Sequence, residues 1–520
     1  MATSSLPLIP HPRRSFLRQA RLAGSAAFLS QLGLSSASAQ KPAATYLKSK
    51  DKSDDIVFMS ATKLAGLIRD KKVSAVEAVK AYYARIDAVN PQLNAVVQFC
   101  RERALKEAAE ADAALAKGQL RGGLHGVPMT IKDSLDTAGV VSTAGTVGRM
   151  HYVPEKDATV VARLRAAGAI LLGKTNTPEW TLAGGGIPGV GTTANIIYGI
   201  SRNPYDTTRS TAGSSGGAGA IVAAGGAPFD IGTDWGGSIR GPAHNNGIAG
   251  IKPTYGRVPR TGHIVGYGGY LDSWQEIGPM TRRVEDLTLI MPIISGPDAS
   301  DCAMCPVPWR DPAETDISKL RVAFFTTNGV AETTPETEDM VRACAKFFAD
   351  AGATVTEDCP KDIIMELEDI RFKLMSADGW AYLKRLAEKW GSKAVSPTVV
   401  ARYESGTTTT AELVELWEKQ DANKVRFLQW IRKYDVVLCP AAGKPAQPIN
   451  LGVQAWKPGT SYTGMFNTTG YPSAVVRAGT SPEKLPLGIM VTGQPWRDDV
   501  VLAACEHIES RTGGWQKPAI

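Results

Sequence analysis

The sequence lacks the features that would place the chain in several large classes of protein. No apolar run reaches the roughly 18 residues that a membrane-spanning helix requires, so we expect no stable membrane anchor. Neither sign of charge is in large excess, because 58 Lys and Arg face 51 Asp and Glu. The sequence has no basic stripe with interleaved aromatic residues, which argues against nucleic-acid binding. At 43% hydrophobic residues, the chain is also too apolar to be disordered throughout.

Residues that bind metals are few and scattered. The 520 residues include seven Cys and six His. Cys302 and Cys305 have the spacing of a metal-binding pair, but no second pair or histidine cluster completes a site. The odd number of cysteines leaves at least one unpaired if disulfides form. We therefore expect a mechanism that does not depend on a metal.

Residues 1–39 have the order of an export signal. Arg13 and Arg14 precede Phe16 and Leu17, a weakly apolar stretch follows, and Ala37-Ser38-Ala39 supplies a small-residue cleavage site. This order resembles a twin-arginine signal and predicts a periplasmic or secreted protein. A mitochondrial-type transit peptide and a disordered basic tail remain alternatives. The polar residues 40–55 are interpreted as a flexible linker.

Helical and strand patterns alternate along the rest of the chain, which favours an α/β sheet covered on both faces. Ser74 and Glu77 form a capping box for a helix that should end before Pro91. The other expected helices are 97–117, Asp157 to Ala167, Ala218 to Ala224, 335–351, 361–390 and 411–432. The expected strands are Val127 to Ile131, Ala169 to Leu172, Pro228 to Ile231, Val322 to Phe325, Asp435 to Cys439 and Gly488 to Thr492.

Lys132 is the first candidate for chemistry. It ends an apolar run, so burial should lower the pKa of its amine by disfavouring the charged form. A neutral lysine can act as a base at neutral pH. Taken alone, however, a lysine at a strand end is more often structural or solvated.

Two glycine-rich segments extend this candidate site. Gly213-Ser214-Ser215-Gly216-Gly217 leads into a small, apolar helix, so its backbone amides could converge on one point. In the second segment, Gly236 and Gly237 permit backbone geometry that places amides beside Ser238. Such amides can stabilise the negative charge that develops on a carbonyl oxygen.

These segments carry a resemblance to the amidase signature family. The match extends over about 60–300 and resumes over about 435–510. It is most specific from Gly213 to Pro253 and includes Gly-Ser-Ser-Gly-Gly, Gly-Thr-Asp-x-Gly-Gly-Ser-Ile-Arg-x-Pro and Gly250-Ile-Lys-Pro-Thr254. Gly173 to Glu179, Gly278 to Arg282 and Gly470 to Pro472 also fit the family.

The resemblance implies a Ser-Ser-Lys amidase without a cofactor. Lys132 is the implied base, Ser214 the bridging serine and Ser238 the nucleophile that forms an acyl-enzyme. The implied oxyanion donors are the backbone amides of Trp235, Gly236, Gly237 and Ser238. A cis peptide is implied before Ser214, and Ser215, Asp234 and Arg240 are candidates for bonding the catalytic loops or for fixing their shape.

The resemblance also implies a fold and a domain layout. The fold is α/β, a single large domain with a twisted mixed sheet of about eleven strands covered by helices on both faces. The domain should cover 56–515, with helices over 330–435 capping the pocket. The expected substrate is a small-molecule amide, anilide, carbamate or urea, and the sequence leaves a homodimer open.

Six positions, in four places along the chain, depart from the family pattern and put the substrate in doubt. Ala212 replaces a usual Gly, and Gln275 stands where Asp is common. Trp235 replaces a smaller residue, and it either walls the acyl pocket or packs. His244-Asn245-Asn246 replaces a more apolar stretch.

Three other functions remain open. One is a Ser–His hydrolase that uses His125 or His244. Another is the glutamine-amidase subunit of an amidotransferase, against which the export signal argues. The third is a non-catalytic family member, which the presence of Lys132, Ser214 and Ser238 disfavours.

Overall fold

The computed structural model describes residues 47–182, 187, 189–264, 270–392, 396–404, 406–451 and 461–520. The predicted export signal, residues 1–39, lies outside the described residues, as does 40–46 of the predicted linker. In the described part of that linker, Ser49 donates to Glu285 at 2.6 Å and Asp51 accepts from the Ser60 amide at 2.7 Å. Residues 49–51 are therefore held against the domain.

The strands of the described residues are β1 Val96–Phe99, β2 Pro128–Lys132, β3 Ile170–Thr175, β4 Ala194–Asn195, β5 Gly199–Ile200, β6 Phe229–Asp234, β7 Ala249–Lys252, β8 Glu276–Thr281, β9 Arg321–Phe324, β10 Thr354–Glu357, β11 Val436–Pro440, β12 Ser473–Thr480 and β13 Pro486–Gly493. Eleven of them form one mixed sheet, as the resemblance implied, in the order β1-β3-β2-β6-β8-β7-β12-β13-β11-β9-β10, while β4 and β5 form a separate hairpin.

The α-helices cover the sheet or form a layer beside it. They are α1 Ala61–Arg69, α2 Ala75–Leu93, α3 Arg101–Ala116, α4 Thr159–Ala166, α5 Gly216–Ala223, α6 Arg240–Asn245, α7 Val284–Ile294, α8 Pro335–Asp350, α9 Lys361–Met375, α10 Ala381–Trp390, α11 Pro397–Tyr403, α12 Thr410–Ile431, α13 Gly464–Thr468 and α14 Asp498–Thr512. Within the described part of the chain, none of them is long and apolar enough to cross a membrane.

The parallel pairing of β2 with β6 positions the site. Thr130 lies beside Asp230, and Ile131 beside Ile231. Because the carboxyl ends of parallel neighbours meet at one edge of a sheet, Lys132 and the last residues of β6 lie together there. The antiparallel partner of β6 on its other side is β8.

Helix α5 is buried along its whole length, and three of its first four residues are glycines. A Cβ on Gly217 would lie 2.5 Å from the Asn176 amide nitrogen and 2.8 Å from the Ala95 carbonyl oxygen. The helix therefore packs directly against neighbouring backbone. This close approach fixes the Ser214–Ser215 turn that precedes it.

Several predicted boundaries were wrong. The Ser74 capping box is confirmed, but α2 continues through Pro91 to Leu93. Proline removes one backbone donor there, near the helix end, so little of the helix is lost. The helix predicted from residue 97 begins at Arg101, because β1 pairs with β3 just before it. Asp157 does not cap α4; it accepts the Ala138 amide at 2.7 Å.

The helical segment predicted over 330–435 divides into two parts. Helix α8 lies against strands of the main sheet, whereas α9 packs against α12 and α13. The expected helix over 361–390 is broken at Trp380, whose φ of 59° marks a left-handed turn. We call α9 to α12 the cap. Apolar side chains of α10, α11 and the end of α9 form a second buried cluster with Trp180 and Trp274, whereas the buried apolar residues of α12 belong to the main core.

Candidate active site

Lys132 lies at the centre of a group of hydroxyls. Its side chain is fully buried at the end of β2. Its Nζ lies 2.7 Å from Ser214 Oγ, 3.0 Å from Ser215 Oγ and 2.8 Å from Thr233 Oγ1. A charged amine would donate to all three hydroxyls, whereas a neutral amine donates two hydrogens and offers a lone pair to the third.

Burial lowers the pKa of Lys132 to about 7, because the low-dielectric interior disfavours the ammonium, although Asp234 and Asp230 favour it. Near neutral pH, therefore, the neutral amine is well populated. A neutral amine beside a hydroxyl can accept its proton, so this arrangement can perform base chemistry.

Ser214 and Ser215 reach Lys132 from the turn before α5. The Gly213–Ser214 peptide bond is cis, as the resemblance implied. Ala212 adopts a φ of 57°, a left-handed conformation that glycine takes without strain. Asn245 and Asn246, two of the unusual residues, donate to the carbonyls of Ser210 and Thr211 just before this turn. They brace the segment that leads to the two serines.

Ser238 lies in the loop after β6 and is partly exposed, unlike the buried Ser214 and Ser215. Its carbonyl accepts the Ser215 amide at 3.1 Å, which joins the two glycine-rich segments through the backbone. Within the described residues, the Ser238 hydroxyl makes no hydrogen bond. An accessible, unengaged hydroxyl at this position is open to a substrate.

The amides of this loop divide into two sets. Of the residues that the structure describes, none accepts a hydrogen bond from the Gly236 or Ser238 amide. The Gly237 amide instead donates to Asp234 Oδ1 at 2.7 Å. A carboxylate therefore already occupies the amide of Gly237, one of the four expected oxyanion donors.

Asp234 and Arg240 form a fully buried ion pair that shapes the loop. Arg240 Nε and Nη2 each lie 3.0 Å from the Asp234 carboxylate. Asp234 also accepts the Ile239 amide at 3.0 Å and Asn467 Nδ2 at 2.9 Å. Burial alone would raise the pKa of Asp234, but these partners hold it well below its usual range. The pair thus ties both ends of the Trp235–Ile239 loop to one point.

Three contributors escaped the sequence reasoning. Thr233 lies within the Gly-Thr-Asp motif quoted above. Its position near the end of a predicted strand could have indicated that its hydroxyl lies close to Lys132. Thr463 donates to the Gly236 carbonyl at 2.8 Å. Asn467 contacts Asp234 from more than 200 residues away along the chain. Nothing local in the sequence indicates either of these two contacts.

Aromatic side chains surround the loop on the side of the cap. The ring of Trp235 lies 5.7 Å from that of Trp274 and 6.4 Å from that of Trp380, measured between centroids. Trp180 belongs to the same cluster and is fully buried. Gln275, another unusual residue, is buried beside Trp274 in sequence. Trp235, three residues before Ser238 in the chain, is the partly exposed member of this group.

The two histidines of the alternative mechanism do not join the site. His125 accepts the Arg121 amide at Nδ1, and its Nε2 lies 3.0 Å from the Ala111 carbonyl. His244 accepts the Gly488 amide at Nδ1, and its Nε2 lies 3.0 Å from the Lys444 carbonyl. Both rings are fully engaged with backbone groups, so neither is available to activate a serine.

Comparison with known proteins agrees with this geometry. A family model described as Amidase matches residues 77–502. A glutamyl-tRNA(Gln) amidotransferase subunit of Moorella thermoacetica is 34% identical, over 88% of this chain and 97% of the relative. Acylamidase of Rhodococcus erythropolis is 31% identical, over 89% of this chain and 97% of the relative.

A solved structure of fatty acid amide hydrolase superposes with a TM-score of 0.78 at 25% identity, covering 88% of this chain and 86% of the other. The match to the family model covers most of the sequence, including every residue of the site described above. The chain therefore belongs to the amidase signature family of enzymes that act on carbon–nitrogen bonds.

Proposed function

We propose that the protein hydrolyses uncharged small amides, anilides or related carbamates and ureas through Lys132, Ser214 and Ser238. The observation that carries this proposal is the buried amine of Lys132, 2.7 Å from Ser214 Oγ and with a pKa lowered to about 7. A base of that pKa is half deprotonated at neutral pH, which suits proton transfer.

The proton path runs through Ser214. Neutral Lys132 accepts the Ser214 proton as Ser214 accepts the proton of Ser238, and Ser238 Oγ attacks the amide carbonyl. The resulting tetrahedral intermediate collapses when the proton returns through Ser214 to the leaving nitrogen. Water then attacks the acyl-enzyme by the same path, which releases the acid and restores Ser238.

The negative charge of the intermediate needs donors in the nucleophile loop. The amides of Gly236 and Ser238 are the candidates that the contacts favour, with Trp235 retained from the sequence expectation. Preorganised donors of this kind contribute about 10²- to 10³-fold each to the rate. Ser215 and Thr233 hold the amine of Lys132, and Asp234 with Arg240 holds the loop.

The tryptophan surface supports an uncharged acyl group. Trp235 is partly exposed three residues before Ser238, and aromatic or aliphatic groups pack favourably on such a surface. Trp274 and Trp380 are buried and pack against its ring. The Rhodococcus relative, an acylamidase by name, is consistent with that class.

A glutamine amidase is the second candidate, and the Moorella relative favours it. Free glutamine carries a charged amino group and a charged carboxylate, and both need charged partners when they leave water. Asp234 and Arg240, the ion pair of the loop, are already bonded to each other. That pair is therefore not available to glutamine, and turnover of glutamine and of uncharged amides can be compared directly.

The test is turnover of a substrate panel by the purified chain. Benzamide, acetanilide and L-glutamine are compared by the release of ammonia or aniline. We expect turnover of an uncharged amide that falls about 10³-fold or more in Ser238→Ala and is retained in Ser481→Ala, a buried serine of the β12–β13 turn. Preference for L-glutamine would support the second candidate, and turnover that survives Ser238→Ala would overturn the mechanism.

We also propose that residues 1–39 export the protein to the periplasm or the medium. The support is the order of charged, apolar and small residues in that segment. Arg13→Lys with Arg14→Lys should leave the chain uncleaved and inside the cell, whereas the parent chain should begin after Ala39. Equal secretion of both forms would contradict this proposal.

A further inference from the structure

Arg371 extends from the cap to the nucleophile loop. It lies on α9 and is 1% exposed. Its Nη2 donates to the Trp235 carbonyl at 3.2 Å. The guanidinium also lies 5.4 Å from the Trp235 ring centroid and 5.3 Å from that of Trp274, within the range of cation–π attraction. One cap residue thus contacts both the backbone and the side chain of Trp235.

The Trp235 carbonyl shares a peptide plane with the Gly236 amide. In a trans peptide the C=O and N–H bonds point in opposite directions, so fixing the oxygen also fixes the hydrogen. On the other side of Gly236, Thr463 donates to the Gly236 carbonyl at 2.8 Å. Both peptides that flank Gly236 are therefore held from outside the loop.

These external bonds matter because of the glycines. Gly236 and Gly237 lack the side chains that would restrict their backbone, and Gly237 adopts a φ of 118°. Without an anchor, the Trp235–Gly236 peptide could rotate and turn the Gly236 amide away. Asp234 accepts the Gly237 amide, but a carboxylate cannot donate to the Trp235 carbonyl, which instead accepts from Arg371.

The charge of Arg371 is balanced within the same buried region. Glu368 lies one helical turn earlier on α9 and is 4% exposed. Burial raises the pKa of Glu368, and the positive charges of Arg371 and Arg240 oppose that rise. Asp234 also interacts with Arg371 and Arg240, so ionisable side chains of the cap and of the loop lie in one buried region.

We propose that Arg371 is a positioning residue for the oxyanion site: it holds the Trp235–Gly236 peptide so that the Gly236 amide faces the carbonyl of a substrate bound at Ser238. This inference rests on the proposed function. In this proposal, the cap helps to set the conformation of the catalytic loop. Displacement of α9 would then lower the rate of acylation without removing any catalytic residue.

The first experiment compares four variants on the best amide of the panel. Arg371→Met removes the donor, and Arg371→Lys keeps a cation with shorter reach. Glu368→Gln combined with Arg371→Met removes both cap charges and avoids an isolated buried carboxylate. The control is Arg426→Met, which removes an exposed cap arginine that pairs with Glu366.

We expect kcat to fall about 10- to 100-fold in Arg371→Met and in the double variant, with KM changed less than about threefold. Arg371→Lys should recover part of the loss, and Arg426→Met should match the parent chain. If kcat in the folded double variant equals that of Arg426→Met, the proposal is wrong. If KM rises while kcat is retained, Arg371 serves substrate binding instead, which also overturns it.

The second experiment separates loop positioning from general damage. An aldehyde analogue of the substrate adds to Ser238 and places an oxyanion in the site, whereas the corresponding alcohol, which has no carbonyl, does not. The inhibition constant of the aldehyde should rise by the same factor as kcat/KM falls, and that of the alcohol should stay constant. Parallel changes in both constants would contradict the proposal. If the parent chain hydrolyses none of the tested amides, that result counts against the proposed function and not against the role of Arg371.

Discussion

The pKa of Lys132 makes the stability of the protein depend on pH in a way that one variant isolates. The native side chain titrates near pH 7, whereas the unfolded one titrates near 10.5. Between these values the native amine is neutral and the unfolded amine is charged. The unfolded state then binds one more proton, so the free energy of unfolding rises with pH.

The perturbation is Lys132→Met, which keeps an unbranched, apolar side chain and removes the titrating group. Relative to this variant, the parent chain should gain about 1.4 kcal/mol in the free energy of unfolding per pH unit from pH 7 to 10.5. Over the whole interval the gain is about 5 kcal/mol. The bonds to Ser214, Ser215 and Thr233 add an offset, but the slope does not depend on it.

The assay is urea denaturation of both proteins at half-unit steps from pH 6 to pH 9.5. The difference between the two free energies is taken at each pH, so that Lys174, which both proteins retain, cancels. Below pH 7 we expect the difference in the free energy of unfolding to be constant. Above pH 7 it should rise, approaching about 1.4 kcal/mol per pH unit. Parallel curves across the whole range would refute the claim that Lys132 is neutral in the native protein.

The same contacts support three further predictions. The kcat/KM for an amide should increase with pH through about 7, because the base form of Lys132 is required; a flat profile from pH 6 to 8 would contradict this assignment. Asp234→Asn should lower the free energy of unfolding by about 3–5 kcal/mol, because Arg240 loses a buried partner. Asp350→Asn, at an exposed ion pair, should lower it by less than about 1 kcal/mol, and equal losses in the two variants would contradict this prediction. Ala212→Gly should raise the melting temperature slightly, because glycine relieves about 1–2 kcal/mol of left-handed backbone strain. This gain exceeds the free-energy cost of the more flexible unfolded chain, so a clear decrease in melting temperature would contradict the prediction.

The sequence predicted the parts of the site that lie close together in the chain. The segment from Gly213 to Pro253 contains Ser214, Ser215, Asp234, Ser238 and Arg240 within one local unit. The structure places Ser214 and Ser215 against Lys132, and Asp234 against Arg240. The roles of these residues, and the pairing of Lys132 with Ser214 across 82 residues, came from the family resemblance and not from the local pattern.

Contacts that depend on packing were not predictable. Arg371, Thr463 and Asn467 lie more than 130 residues from the loop that they contact, and each is an ordinary residue on an ordinary helix or turn. The engagement of the Gly237 amide was missed for a similar reason. The Asp234 side chain could reach several amides, and only the folded loop determines which one it binds.

Helix ends also differ in whether a local pattern or the packing determines them. The capping box at Ser74 is a local signal and was correct. Pro91 was expected to end that helix, but three more residues continue it because the helix packs on the sheet. The tryptophans of the cap could not be assigned to core or pocket from their spacing: Trp430 is buried beside Phe427, whereas Trp417 is exposed.

The most direct test of the proposed mechanism is intact-mass analysis of the protein after incubation with a fluorophosphonate, followed by peptide mapping. We predict a single adduct on Ser238 that forms in the parent chain and fails to form in Lys132→Ala at the same pH. An adduct on another residue, or equal labelling of Ser238 without Lys132, would contradict the mechanism.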